Sequence, residues 1–253
     1  RDLILGTLEN QTGTYDLSGT GTLSVGRDTW VGAWGHGSFN QSGGSATIGK
    51  DLLLGNWTGG TGTVSVTGGS LIVTRSIQVG NFGDGTFTQN GGVVTNEQTH
   101  INRGSYTLLG GVFTSTSSTD VSGYGGAALF QQSVGTHNTP HLTIGDKDTV
   151  AATYDLSGGV LKTDLTAIAN NYYGATTGMM NHRGGMHETG ILGLGSFSGN
   201  VGTYNLLSTG SLTAAQVKVG EEGTGVFNQS GGTATVTEFK LGTWTTGTGR
   251  AEL

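Results

Sequence analysis

Apolar residues in this chain recur in short runs of period two and never at helical spacing. Leu142 and Ile144, Leu192 and Leu194, and Val217 and Val219 each flank one polar or small residue and run straight into a glycine. Ile77/Val79 and Phe239/Leu241 do the same, and Leu52/Leu54 run into Gly55 around a third leucine. Such alternation marks a strand with one buried face. No ten-residue stretch sustains apolar spacing at i, i+3, i+4 and i+7, so the pattern predicts no helix.

A second signature lies between these strands. Phe-Asn-Gln-Ser-Gly-Gly at residues 39–44 returns letter for letter at 227–232, with looser copies at 15–19, 87–92 and 154–159. The ring and the Leu or Gln two places on share one face of a strand, and the polar residue between them points out. The Gly-Gly corner supplies backbone angles that only glycine adopts cheaply. With the ring as position zero, the register falls at Tyr15, Phe39, Val64, Phe87, Tyr106, Phe130, Tyr154, Met180, Tyr204 and Phe227. That is 212 residues over nine intervals, a mean of about 23.6, within the solenoid range. A second strand follows each Gly corner, as at residues 70–73, 92–95 and 233–236, and the alternating pair makes a third.

These elements predict an all-β fold: a single-stranded parallel β-helix of about ten turns of about 24 residues, three strands per turn. Each strand pairs with its counterpart one turn away, roughly 4.8 Å along the axis. Right-handedness is the expectation from known β-helices. Residues 1–253 read as one module. Arg-Asp-Leu-Ile-Leu-Gly at 1–6 matches Lys-Asp-Leu-Leu-Leu-Gly at 50–55, which lies late in a repeat. The module is therefore expected to be cut in mid-repeat at both ends from a longer chain, with covalently linked neighbouring domains.

Composition narrows the class. Fifty glycines with one proline and no Gly-X-Y period exclude collagen, and apolar residues at fixed phase argue against disorder. A net charge of −6 with 11% charged residues offers no basic footprint for nucleic acid and no cationic face for a membrane. No apolar run approaches the length of a membrane span. The absence of cysteine removes disulfides and thiolate chemistry and suits a secreted bacterial protein.

Function in a solenoid sits where the repeat is broken. One to three residues past the third-strand glycine stand Trp34, Trp57, Phe82, Tyr172, Tyr173, Phe197 and Trp244, and Trp30 points outward from the third strand nearby. Aromatics at one corner of successive turns form a row along the axis. The ligand class expected of such a row is a linear polysaccharide, whose pyranose C–H faces stack on rings. The alternative is that the rings lie back over the Gly-rich loops.

The turn from Tyr154 to Met180 spans 26 residues, and the copy after it carries His182, Arg183, His187 and Glu188 as secondary candidates. His182 and His187 fall on inward positions. A metal needs ligands converging within a few ångströms, but His137 and His187 lie two turns apart with Leu161 between them. The histidines therefore read as buried neutral groups, and neither a metal site nor a cofactor is assigned. The acidic pieces Asp146-Lys-Asp148 and Glu221-Glu222 offer the ligand type for calcium, but the Gly-Gly-x-Gly-x-Asp repeat is absent. The spacing from Phe87 to Tyr106 is short, 19 residues, and the Ser/Thr-rich stretch at 114–120 reads as an exposed loop. Outward Asn and Asp on the first strand predict amide ladders. An ice-binding Thr lattice on the second strand is interrupted by Lys162 and Glu188.

The recurring Leu-Gly-x-Trp/Phe…Gly-Thr-Gly-x-Phe/Tyr-x-Gln/Leu-Ser-Gly-Gly string covers nearly the whole chain. It resembles the Gly-rich β-helical repeats of large secreted bacterial proteins and of autotransporter-like passenger regions, a likeness of architecture. The chain also looks like the β-helical carbohydrate-binding modules, xylan-binding ones among them, of polysaccharide-degrading enzymes. That resemblance implies a non-catalytic module binding a plant-type polysaccharide of the xylan or β-glucan class. The other readings are a structural or adhesive stalk, and a β-helix lyase or hydrolase. The last needs paired carboxylates, or a base with a charge-neutralising cation. No outward acidic pair recurs at one position on adjacent turns.

Overall fold

Alternation within each strand and repetition between turns produce one object. The computed structural model describes residues 1–147 and 151–252, whose regular structure is all β. Its 24 strands form one continuous parallel ladder in which each strand pairs with its equivalents one turn before and one turn after. Three columns of strands make three walls around a filled interior.

The first wall includes Thr12–Leu17, His36–Gln41 and Thr61–Val66. Its inward column runs in unbroken register from Tyr15 through Phe39, Val64, Phe87, Tyr106, Phe130, Tyr154, Met180 and Tyr204 to Phe227. Val64, Phe130 and Met180, the less obvious members of the repeat, stand in their expected places. The second wall includes Ser45–Ile48 and Ser70–Val73, and the third Leu52–Leu54 and Ser76–Val79.

The short interval after Phe87 is absorbed at the corners. Asp84–Ile101 and Gly104–Val121 each pass round all three walls as one strand, and their mutual register shifts at Gln89/Asn90, Asn90/Val93 and Asn96/Gln98. Here an expectation fails. Residues 114–120 lie within the second of these strands, not in an exposed loop, and Ser115 and Thr119 are fully buried. Hydroxyls satisfy one another across the turns. Thr99 and Ser115 are 3.0 Å apart, Ser115 donates to Asn96 (3.0 Å), and Asn96 donates to Thr99 (2.8 Å). A polar residue whose bonds are met inside can take a core position.

Elsewhere the interior is apolar and stacked. Phe87, Tyr106, Phe130 and Tyr154 lie face to face at centroid distances of 4.5, 4.9 and 4.6 Å. The inward glutamines fasten the corners: Gln132 donates to Val160 O (2.9 Å) and Gly135 O (3.2 Å), and accepts from the Tyr154 hydroxyl (2.7 Å). Outside, Asn228 donates to Asn205, Asn205 to Asn181 and Asn181 to Asp155, at 2.9, 2.9 and 2.8 Å. This is the expected amide ladder.

Candidate functional site

The corner between the third and first walls is built on glycine. Gly32 has φ +74°, and a Cβ there would stand 2.0 Å from the Thr61 carbonyl oxygen. Backbones of successive turns touch at this corner, so the residues that follow are pushed outward. Trp34, Trp57 and Phe82 stand there on three consecutive turns, partly exposed. Trp34 N–H bonds Gly6 O, and Trp57 N–H bonds Ala33 O, one turn back each time.

The expected row exists, with a consequence for what it can bind. Trp34 and Trp57 are parallel within 10° at 5.5 Å, and Trp57 and Phe82 within 11° at 6.0 Å. Rings this close and this nearly parallel are stacked with an offset, since coplanar neighbours would collide. Trp57, between two rings, has a neighbour on each face, while Trp34 and Phe82 each have a ring on one face only. The row then stops at Arg103, whose Nε lies 2.7 Å from Asp84. Tyr124, exposed in the same corner, and Leu8, exposed one turn before Trp34, were not anticipated from the sequence. Trp30 sits half-buried on the outer face of the third wall, between Ile4 and Leu53.

Toward the C-terminal end the corner differs. Tyr172 meets Phe197 edge to face at 5.2 Å, and Tyr173 edge to face at 5.2 Å, and Tyr173 is 95% exposed. Phe197 and Trp244 border a groove of about 350 Å³ on the outer face of the third wall. Its floor is Ala167 and Gly193, adjacent turns of one outward row. On other turns that row holds Ile4, Trp30, Leu53, Gln78, His100, Asp120, Thr143, Lys218 and Lys240, each bulkier than the pair at the floor. Leu165 and Ile191 form an apolar rim, while Asn170, Ser196, Glu221 and Glu222 supply polar groups opposite. Lys218 closes one end, its Nζ 2.9 Å from Glu221.

A groove with an apolar rim, two aromatic flanks and a few convergent polar groups suits a hydroxyl-rich ring with apolar faces. A cleft of about 370 Å³ between the second and third walls includes Thr114, Asn138, Pro140, Lys162 and Asp164 in its lining. It has no ring to stack on, and Lys162 is paired with Glu188 at 3.1 Å.

The secondary candidates separate. Arg183 is exposed, and Glu188 is held by Lys162 on the outer face. His182 and His187 are fully buried in the interior. Their bonds fix their protons. His182 Nε2 faces the Gly185 carbonyl (3.2 Å), so it carries the hydrogen, and Nδ1 accepts from the Tyr204 hydroxyl (2.8 Å). With that proton committed, His187 Nδ1–H donates to the Tyr204 oxygen (3.2 Å), and His187 Nε2 accepts from Thr166 (3.0 Å). His137 repeats the motif between Tyr154 (3.0 Å) and Thr119 (3.1 Å). Burial lowers the pKa of His137 and His187 to about 3, and lowers that of His182. These histidines face no solvent, and their ring nitrogens are met within the interior.

Among the described residues no group of three or more His, Cys, Asp or Glu converges as a metal would require. Asp148, part of one acidic piece considered for calcium, lies outside the described residues. Among the described residues there is also no helix long and apolar enough to cross a membrane. No protein-family model, curated protein or solved structure matches the chain. What ties it to β-helical repeat proteins is its own repeat and its parallel solenoid fold.

Proposed function

We propose that this protein is a non-catalytic carbohydrate-binding module that grips a neutral plant-type polysaccharide of the xylan or β-glucan class at its third-to-first corner. The observation carrying this reading is the groove between Phe197 and Trp244, floored by Ala167 and Gly193. A pyranose unit lying in it sets its C–H face against Leu165 and Ile191 and turns its hydroxyls toward Asn170, Glu221 and Glu222. One such ring buries about 50–80 Å² of apolar surface, on the order of 1–2 kcal/mol, which gives weak affinity per unit and usable affinity along a polymer. A secreted bacterial setting beside a polysaccharide-degrading enzyme belongs to the same proposal.

A structural or adhesive stalk is the second reading, favoured by the mutual stacking of Trp34, Trp57 and Phe82.

Affinity electrophoresis on xylan, β-glucan, mannan and pectin, with product analysis of the same incubations, separates the readings. Retardation without cleavage is expected. New reducing ends or unsaturated products would make the protein an enzyme, and migration unchanged by every polymer would leave the stalk. The sharp variant is Gly193→Leu. A Cβ at Gly193 meets only Ser196 Oγ, at 3.7 Å, and the backbone there is not left-handed. The variant should fold as wild type and lose binding in the groove by about tenfold or more.

A further inference from the structure

The groove at Phe197 is not alone at this corner. A second cleft, of about 200 Å³, is bordered by Trp34 together with Glu9, Asn10, His36 and Thr58. Trp34 is the end ring of its stack, so only one of its faces is covered by Trp57. The two clefts share a chemical composition: an aromatic ring, a carboxylate, an asparagine amide, a small hydroxyl and one further nitrogen group. In the first these are Phe197 with Trp244, Glu222 with Glu221, Asn170, Ser196 and Lys218, to which the groove adds the apolar rim of Leu165 and Ile191. In the second they are Trp34, Glu9, Asn10, Thr58 and His36, whose Nδ1 lies 2.6 Å from the Thr61 hydroxyl.

Their separation follows from the register. The third-wall residue before Trp34 is Val31 and the one before Phe197 is Leu194. The column between them runs Val31, Leu54, Val79, Ile101, Val121, Ile144, Ile168, Leu194, which is seven steps. At about 4.8 Å per step the clefts lie about 34 Å apart along the axis, the second at the corner with the first wall and the first reaching from that corner onto the third wall. A β-linked pyranose chain advances per residue by roughly the same rise, so about seven residues reach from one to the other.

We infer that the protein binds a linear polysaccharide bivalently, with a second glycan subsite at Trp34 acting together with the groove at Phe197. The inference rests on the carbohydrate reading of the groove. Two weak subsites on a rigid rod gain affinity because binding at one holds the chain near the other. The gain appears only for chains long enough to span both.

The test is titration calorimetry of the whole protein with β-1,4-linked xylo- and gluco-oligosaccharides of three and of eight units. The trisaccharide should bind at two molecules per protein, and the octasaccharide at one, about tenfold or more tighter. Trp34→Ala and Gly193→Leu should each reduce the trisaccharide to one site and bring the octasaccharide to trisaccharide affinity. Gly193→Leu keeps the test informative should loss of Trp34 disturb its neighbours. A wild-type trisaccharide stoichiometry of one, or an octasaccharide no tighter than the trisaccharide, overturns bivalency and leaves the single groove standing. Absence of binding by every oligosaccharide overturns the carbohydrate reading, and bivalency with it.

Discussion

His182 stands in the inward column of Gln132, two turns on, and makes the same two bonds. Gln132 holds the carbonyl of Gly135 and the hydroxyl of Tyr154; His182 holds the carbonyl of Gly185 and the hydroxyl of Tyr204. The imidazole is thus a corner fastener in an unusual material. His182→Gln should keep stability within about 1 kcal/mol, whereas His182→Leu, which leaves both partners unpaired, should cost about 1–3 kcal/mol. Urea unfolding of the two variants distinguishes this from a ligand-binding role, for which Gln and Leu should both fold normally.

Acid should find the interior histidines. Burial depresses the folded pKa of His137 and His187 to about 3, from an ordinary 6.5, and lowers that of His182 as well. The unfolded chain therefore binds more protons between those limits, so the stability they permit is whole above pH 6.5 and declines as pH falls toward 3. Each group contributes a slope of about 1.4 kcal/mol per pH unit at most. His187→Leu, which copies Leu161 and Leu212 on either side, should remove that histidine's share of the slope and leave those of His137 and His182. Urea midpoints that stay level from pH 7 to pH 4 would sink this account.

Trp57 stacks on two rings and Trp244 on none that the structure shows. Trp57→Ala should therefore lower stability by about 1–3 kcal/mol, given roughly 0.5–1.5 kcal/mol per stacked pair. Trp244→Ala should leave the melting temperature nearly unchanged and weaken retardation on polysaccharide gels. Equal melting shifts would contradict the stacked row.

Asn96 is fully enclosed with Thr99 and Ser115, each bonded to the other two. Asn96→Ala should cost about 2–4 kcal/mol, because it opens a cavity and takes one hydrogen-bond partner from each of two buried hydroxyls and from the Gln98 carbonyl. Asn96→Asp, buried without a cation, should be at least as harmful at neutral pH and milder in acid. Denaturant titrations at pH 7 and pH 4 measure both.

Spacing alone made the fold legible. Phe130 and Met180 have weak local signatures, yet the interval of about 24 residues puts them under the same column as Tyr154. The polar run at 114–120 was misread because hydropathy cannot register hydroxyls that bond across turns, as Ser115 and Thr119 do. At the site, Phe197 and Trp244 were visible as corner aromatics, but the groove between them was not. Its signal is missing bulk, Ala167 and Gly193 in a row of larger side chains, and that shows only once the residues are written in register. The facing of Trp34, Trp57 and Phe82 was not legible either, since rings on successive turns stack there but meet edge to face at Tyr172 and Phe197.

A trough made by leaving two side chains out has a practical corollary. Every coil contributes one letter to that row, and the backbone ladder beneath is the same whether the letter is Trp30, Leu53 or Gly193. Replacing Leu53 and Gln78 with glycine and alanine should carve a copy of the trough beside Phe82, and restoring bulk at Ala167 and Gly193 should erase the original. The rod would then act as a ruler on which recognition can be slid, closed or duplicated, coil by coil, without rewriting the scaffold beneath.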